Sequence, residues 1–494
     1  MRAIRQYRIE LREPVHKVVL LLLAALVGAS TGFIAIIAYQ LPFKWLMVIL
    51  LAVAAPVVVL LVKDIRTLIL IAFTIDIPLG LDIAIKNQPE HTGGPSGYLI
   101  SLMTVALIVG YAVWIVEKKP KPQFFATTTI PALLYLLMVV VSLFQSVDIQ
   151  FSLFGVFLLC QLWLMYFYLA NHIRSRMDLR IVLMTAVVGL LFQASIMLLQ
   201  YFTGASLSFG AISSSSFGAG ASAGVTGIRP GGTIGTPNSA AAYLVFSILL
   251  SFSAYLSEKF VNRILALAAC ALGLVALIAT SSRSAWASLV LAVLILLSQV
   301  IWTKTGIRAF LILLIGTLFT GILFGRQIIV RLEAVREDRS RPELAYMAHN
   351  IIDAFPMGVG ENNYGQIMSD RYAHPNWVGH TLMVVHNKYL LVWAETGIQG
   401  LMAFVLLLLA TAWQTRRWLF RTNLPPDLLI PAAGILGAFL GYAVHMFMEG
   451  FSSRANLQIL WFLIAMSMAM DQLIFQSRQK VKQGNPITIT GLES

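Results

Sequence analysis

The chain has 494 residues, 58% of them hydrophobic and only 12% charged. So few charges do not cover the surface of a water-soluble protein of this length, so the composition excludes a soluble enzyme and requires lipid as solvent. The net charge of +13 is carried largely by alternate loops between apolar runs, which argues against a nucleic-acid partner and points to membrane lipids instead.

Apolar runs of about 17 to 25 residues, each enough to cross a bilayer, recur along the chain. Fourteen are predicted, at about 18–39, 44–62, 67–85, 98–116, 128–144, 151–170, 180–202, 239–257, 264–280, 285–301, 309–325, 396–413, 428–448 and 456–475. The first lacks a small-residue cleavage site and reads as a retained anchor rather than a signal peptide. The third is the weakest, because "TIDIPLGLDI" carries Asp76, Pro78 and Asp82 near its end. Cys160 and Cys270 both fall inside predicted spans, so neither disulfide nor metal chemistry is read from them.

Lys and Arg cluster in alternate loops, among them "MRAIRQYR", "EKKPK", "RSRMDLR", "RRWLFR" and "RQKVK". By the positive-inside rule those loops and both termini are cytoplasmic, which suits an even number of spans. The outward-facing loops are then short except for two. The first, about 203–238, is rich in Gly and Ser, and its stretch Ser213–Ser216 reads as a flexible tether. Its end, "RPGGTIGTPNS", joins Arg229 to a turn at Pro230-Gly231-Gly232 and to a helix start at Pro237/Asn238.

Arg283 lies in "SSRSAW", a tight hairpin between two apolar spans. A cation at that depth is costly unless it meets an anion; its bland alternative is snorkelling to headgroups or pairing with a carboxylate such as Glu449. The second long loop, about 326–395, places Leu344, Met347, Ala348, Ile351, Ile352 and Phe355 at helical spacing, which predicts an amphipathic helix lying on the membrane or lidding a cavity. Most basic residues left for the outward face are arginines, whose planar fork suits phosphate.

At the end of that loop stands "VVHNKYLLVWAETGIQG". His386, Tyr389 or Leu390, and Trp393 would share one helical face, so the imidazole caps an apolar stripe and can accept a proton near neutral pH. Glu395 is half a helical rotation away and is not its expected partner, while Gly397 and Gly400 read as helix-packing positions. His374, His380 and His386 recur at six-residue intervals, but no carboxylate or cysteine partner identifies a zinc site, and no DxD pair is present.

"RPGGTIGTPN", "SSRSAW", "RPELAYMAHNIIDAFPMGVGENNY" and "HNKYLLVWAETGIQG", in this order over residues 229–413, resemble the O-antigen ligase and O-antigen polymerase superfamily of bacterial membrane glycosyltransferases. The resemblance implies an all-α polytopic protein of the class C glycosyltransferase type, with about 14 transmembrane helices and a large helical outward loop, in the bacterial inner membrane. It implies transfer of a glycan from an undecaprenyl-pyrophosphate carrier to an acceptor hydroxyl on the outer face, with lipid A core or another glycan as acceptor and no cofactor or metal. Carried over, the essential histidine falls on His386 and the pyrophosphate-binding arginines on Arg229, Arg283 and Arg341.

Within the family a ligase is favoured over an exopolysaccharide polymerase or a protein O-oligosaccharyltransferase, because the outward loop is single and arginine-rich. The alternative of another class is a lipid-linked-oligosaccharide flippase, which would favour charges deep in several helices and an internal repeat. The expected organisation is N-terminal spans over 1–202, the Gly/Ser-rich loop 203–238, spans with the hairpin over 239–325, the large outward loop 326–395, C-terminal spans over 396–475 and a cytoplasmic tail 476–494.

Overall fold

A computed structural model describes residues 64–91, 93–205, 208–209, 212–213, 216–218, 228–257, 261–300, 340–372, 384–419 and 424–482, with short stretches between 306 and 329. The chain falls into two compact units. One comprises residues 1–68 with 208–213, and the other 69–207 with 214–494. In the first, strands β3 (Ser208–Phe209) and β4 (Ile212–Ser213) pair antiparallel.

The second unit is a helical bundle. In chain order it holds the end of α1 (Ile65–Leu79), the hairpin β1 (Ile83–Ile85) and β2 (Tyr98–Ile100), then α2 (Leu102–Glu117), α3 (Ala126–Val141), α4 (Ile149–His172) and α5 (Arg176–Thr203). A second hairpin pairs β5 (Ser216–Gly218) with β6 (Ile228–Pro230), followed by α6 (Pro237–Ser257), α7 (Arg263–Ala279) and α8 (Arg283–Val300). The large loop contributes α9 (Ser340–Ala354) and α10 (Tyr364–Arg371), and α11 (Lys388–Leu419), α12 (Pro426–His445) and α13 (Arg454–Lys482) complete the unit.

A helix stands at every predicted span within the described residues; the predicted spans 18–39 and 44–62 and most of 309–325 lie outside them. Eight of these helices are long and apolar enough to cross a membrane, and α2 and α7 are shorter apolar helices. The protein is therefore a mostly helical, multi-pass membrane protein. The third predicted span is cut short: its helix ends at Leu79, and Ile83–Ile85 turns into a strand instead. Asp76, buried in α1, pairs with Arg454 at the start of α13, and Asp82 joins the same guanidinium. The final helix, conversely, runs past the predicted boundary at 475 to Lys482.

Helices α6 and α13 are central, each with 94% of its apolar window buried. Outer helices leave Ile108, Ile115, Leu294, Met402 and Leu409 exposed, as lipid solvation allows. The helix starts follow local capping chemistry. Ser101 with Thr104 and Ser175 with Asp178 form capping boxes on α2 and α5, and Asp148 caps α4. At one end of the bundle Arg176 pairs with Asp427 at 3.2 Å and Arg174 Nη2 donates to the Lys121 carbonyl. The opposite end gathers the segments around residues 91–95, 142–148, 228–236, 280–284, 358–363 and 446–453, tied by the hydrogen bonds described below.

The tether expected at Ser213–Ser216 gives way at Ser216 to strand β5, whose pairing with β6 sets Phe217 opposite Arg229. The amphipathic helix is α9, and its apolar face is the predicted one. Leu344, Ala348, Ile351 and Ile352 are buried, with Met347 and Phe355 packed beside them, against Tyr364, Met368, Leu391 and Ala394.

Helix α11 is two helices joined at Gly397, where φ is 71°. The break frees carbonyls at the end of the first segment, and buried carbonyls need donors. The loop "PMGVGENNY" supplies them: Val359 N–H donates to Ala394 O at 3.0 Å and Gly360 N–H to Glu395 O at 2.9 Å. Asn363 and Asn362 then anchor the loop to α4, Asn362 Nδ2 donating to the carbonyls of Pro95 and Phe151 and Asn363 Oδ1 accepting from Asp148 N–H. A Cβ at residue 397 would lie 2.7 Å from Met357 O. Gly397→Ala is therefore expected to lower stability by about 1–3 kcal/mol, read as a lower thermal midpoint in detergent; an unchanged midpoint would contradict the kink as a required feature.

Candidate functional site

The site is built where α11 begins and α12 ends. Asn387 caps α11, its Oδ1 accepting from the N–H groups of Tyr389 (2.9 Å) and Leu390 (3.1 Å). His386 thus lies just before the helix, not on the helical face expected for it. The next N–H, of Lys388, donates to Met446 O at 2.8 Å, and Tyr389 Oη donates to Ala443 O at 2.9 Å. These two bonds lash the start of α11 to the end of α12. Gly450 permits the approach of the following loop, since a Cβ there would sit 2.7 Å from Val385 O.

That approach brings Glu449 onto His386. Nδ1 of His386 is 3.1 Å from Glu449 Oε2, while Glu449 Oε1 accepts from Arg341 Nη2 at 2.9 Å and from Asn238 Nδ2 at 2.8 Å. Asn238 in turn accepts, through Oδ1, from Arg229 Nη2 at 3.0 Å. Arg229 Nε donates to Thr280 O at 2.7 Å, holding the turn between α7 and α8. The turn carrying Arg229 is itself fixed on α5, where Gln200 Oε1 accepts from Gly232 N–H and Gln193 Oε1 from Thr233 Oγ1.

Of the four residues singled out from sequence, His386, Arg341 and Arg229 are therefore joined through one carboxylate and one amide. Arg283 is the first residue of α8, in the hairpin whose Thr280 holds Arg229. Glu449 and Asn238 were missed as site residues. Glu449 entered the sequence reading only as a conceivable partner for Arg283, and nothing in the spacing of a short interhelical loop links it to a histidine 63 positions earlier. Asn238 was read only as part of a helix start. His374 and His380 lie outside the described residues, and among the described residues no three His, Cys, Asp or Glu side chains are grouped to hold a metal.

The Glu449 side chain is 6% exposed, whereas those of His386 and Arg341 are 28% and 33% exposed, so the carboxylate is a buried post from which two side chains reach outward. Burial alone would push the Glu449 carboxyl up. The hydrogen bond and charge of His386, with the charges of Arg341 and His445, outweigh it and hold Glu449 below the ordinary carboxylate range. An ionised carboxylate only accepts, so Nδ1 of His386 carries a proton and donates to it, and Nε2 is the ring nitrogen left for another partner.

A second polar cluster lies behind α11. Glu361, Glu395 and Lys388 are all buried and share a cavity of about 10 Å³, room for about one water. Burial pushes the Glu361 carboxyl up, against the pull of the Lys388 ammonium. Glu395 accepts from Tyr364 N–H at 3.3 Å, so it faces this cluster and not His386, as its position in the sequence predicts.

Because the folded pKa of Glu449 is depressed, its contribution to stability is present above the ordinary carboxylate range and is lost as pH falls through the lowered value. Thermal unfolding of the wild type across the acid range is expected to show this loss. Glu449→Gln is expected to lower stability at neutral pH by about 3–5 kcal/mol, leaving Arg341 and His386 without their anion, and to flatten the acid dependence. A variant with the wild-type acid profile would contradict the assignment.

No curated protein matches the chain. Residues 268–405, which run from within α7 through Arg283, Arg341 and His386 into α11, match the family described as O-antigen ligase. Over those residues the chain is similar to the O-antigen ligase family.

Proposed function

We propose that the protein transfers a glycan from an undecaprenyl-pyrophosphate carrier to an acceptor hydroxyl on the outer face of the bacterial inner membrane, as a class C glycosyltransferase of about 14 spans with both termini cytoplasmic. The acceptor is lipid A core or another glycan in the ligase-like reading; a second carrier-linked glycan would make it a polymerase. The observation that carries this reading is the convergence of His386, Arg341 and Arg229 on the buried Glu449 and the half-buried Asn238, at the end of the bundle away from the basic loops.

In the proposed reaction the acceptor oxygen attacks the anomeric carbon while the bond from that carbon to the pyrophosphate oxygen breaks. His386 Nε2 takes the hydroxyl proton, and the imidazolium so formed faces the Glu449 carboxylate through Nδ1–H, the logic of an acid-oriented histidine base. The departing pyrophosphate gains negative charge. In this reading Arg283, Arg229 and Arg341 receive it, since fixed guanidinium groups in a low-dielectric site stabilise such charge strongly. In-line attack gives inversion at the anomeric carbon. Apolar helix faces around the two outward loops give the polyprenyl chain its surface.

The test is transfer by the purified protein from a defined undecaprenyl-pyrophosphate glycan, with lipid A core and carrier-linked acceptors offered separately in excess chelator. Wild type is expected to transfer with inversion, and His386→Ala to lose about 10²- to 10⁴-fold in rate, with a large loss in Arg283→Ala. Full activity in His386→Ala, or a retained anomeric configuration, would overturn the mechanism. No transfer to any acceptor would favour a lipid-linked-oligosaccharide transporter.

A further inference from the structure

One polar pair on the arginine side of the site takes no part in the reaction described above. His445, the last residue of α12, is buried to 1% exposure, and its Nε2 lies 3.0 Å from Ser284 Oγ in the first turn of α8. Its ring is held edge-on to Phe451, with centroids 4.8 Å apart. The charges of Glu449 and Arg341 both reach it. A buried imidazole in an apolar bundle is costly to keep unless its hydrogen bonds are placed to some end. Its partner hydroxyl belongs to the residue next to Arg283, and Ser284 is partly exposed whereas Ser281 and Ser282 before it are buried.

We infer that Ser284 is a donor-binding residue whose hydroxyl hydrogen bonds to a pyrophosphate oxygen of the lipid carrier, and that His445 is the positioning residue that aims it. The inference rests on the glycan-transfer reading above. A serine hydroxyl has one hydrogen and two lone pairs. If His445 accepted that hydrogen, Ser284 would turn lone pairs toward an anion. An anion beside Arg283 instead selects the arrangement in which His445 Nε2–H donates to Ser284 Oγ and the hydroxyl hydrogen points outward. The pair then adds to the guanidinium charge a directed, neutral donor whose oxygen is held by a buried ring.

The experiment compares wild type, Ser284→Ala, Ser284→Thr, His445→Asn and the double variant Ser284→Ala/His445→Asn in detergent. It measures binding of undecaprenyl pyrophosphate and of undecaprenyl monophosphate, together with kcat and KM for the glycan donor and the thermal midpoint. Ser284→Ala is expected to weaken pyrophosphate binding and raise donor KM about tenfold, the scale of a hydrogen bond to a charged group, and Ser284→Thr to restore both. His445→Asn is expected to match Ser284→Ala, with the double variant no worse than either single.

Wild-type pyrophosphate affinity in Ser284→Ala beside an active wild type would overturn this inference and leave the transfer reading standing. Additive losses in the double variant, with kcat and the thermal midpoint falling while donor KM holds, would reduce His445 to a structural role and overturn it too. A wild type that neither binds the pyrophosphate nor transfers would overturn both readings together.

Discussion

The geometry of this end of the bundle depends on one buried carboxylate. An ionised Glu449 away from water is sustained only if its oxygens are paired and hydrogen-bonded. Its partners come from three places far apart in sequence: Asn238 at the start of α6, Arg341 in α9 and His386 before α11. Removing any one leaves the buried carboxylate short of a cation or a donor, so the loop helix α9 and the mouth of α11 are held to α6 by electrostatic need as well as by packing. The apolar face of α9, buried on Leu391 and Ala394, works in the same direction.

Two buried carboxylates at this end of the bundle are given opposite characters by their surroundings. Glu449 is held below the ordinary range by cations that face it, and Glu361 is pushed above it by burial, with one ammonium against two acids. Environment, not residue type, divides them. The first connects to side chains that reach the exposed face. The second lies within the "GENNY" loop, whose asparagine amides donate to the carbonyls of Pro95, Phe151 and Asp148. A sequence rich in polar residues at one membrane face therefore contains both a site and the scaffold that holds it, written in the same residue types.

The helices were legible because lipid demands long apolar runs, and their ends follow from capping residues and the basic loops. The amphipathic face of α9 was legible for the same reason, since 3.6-residue periodicity reports burial directly. His386 and the arginines were legible as charges with no local reason to be there. What could not be read was pairing. The contact between His386 and Glu449 depends on how α11 packs on α12, and neither period nor composition encodes that register. The start of α11 was misplaced because Asn387, a polar residue in a run otherwise read as a helical stripe, acts as its cap. The third span was overextended because Asp76 is buried against Arg454, a tertiary pairing that lets one carboxylate sit inside a helix while Asp82 ends the apolar run.

The broken helix at Gly397 bears on how the large loop can be exchanged. The amides of Val359 and Gly360 close the open end of the short segment 388–396. Loop and half-helix thus make up one module, and an exchange of the loop that left residues 388–396 behind would set its amides against carbonyls they were not built for.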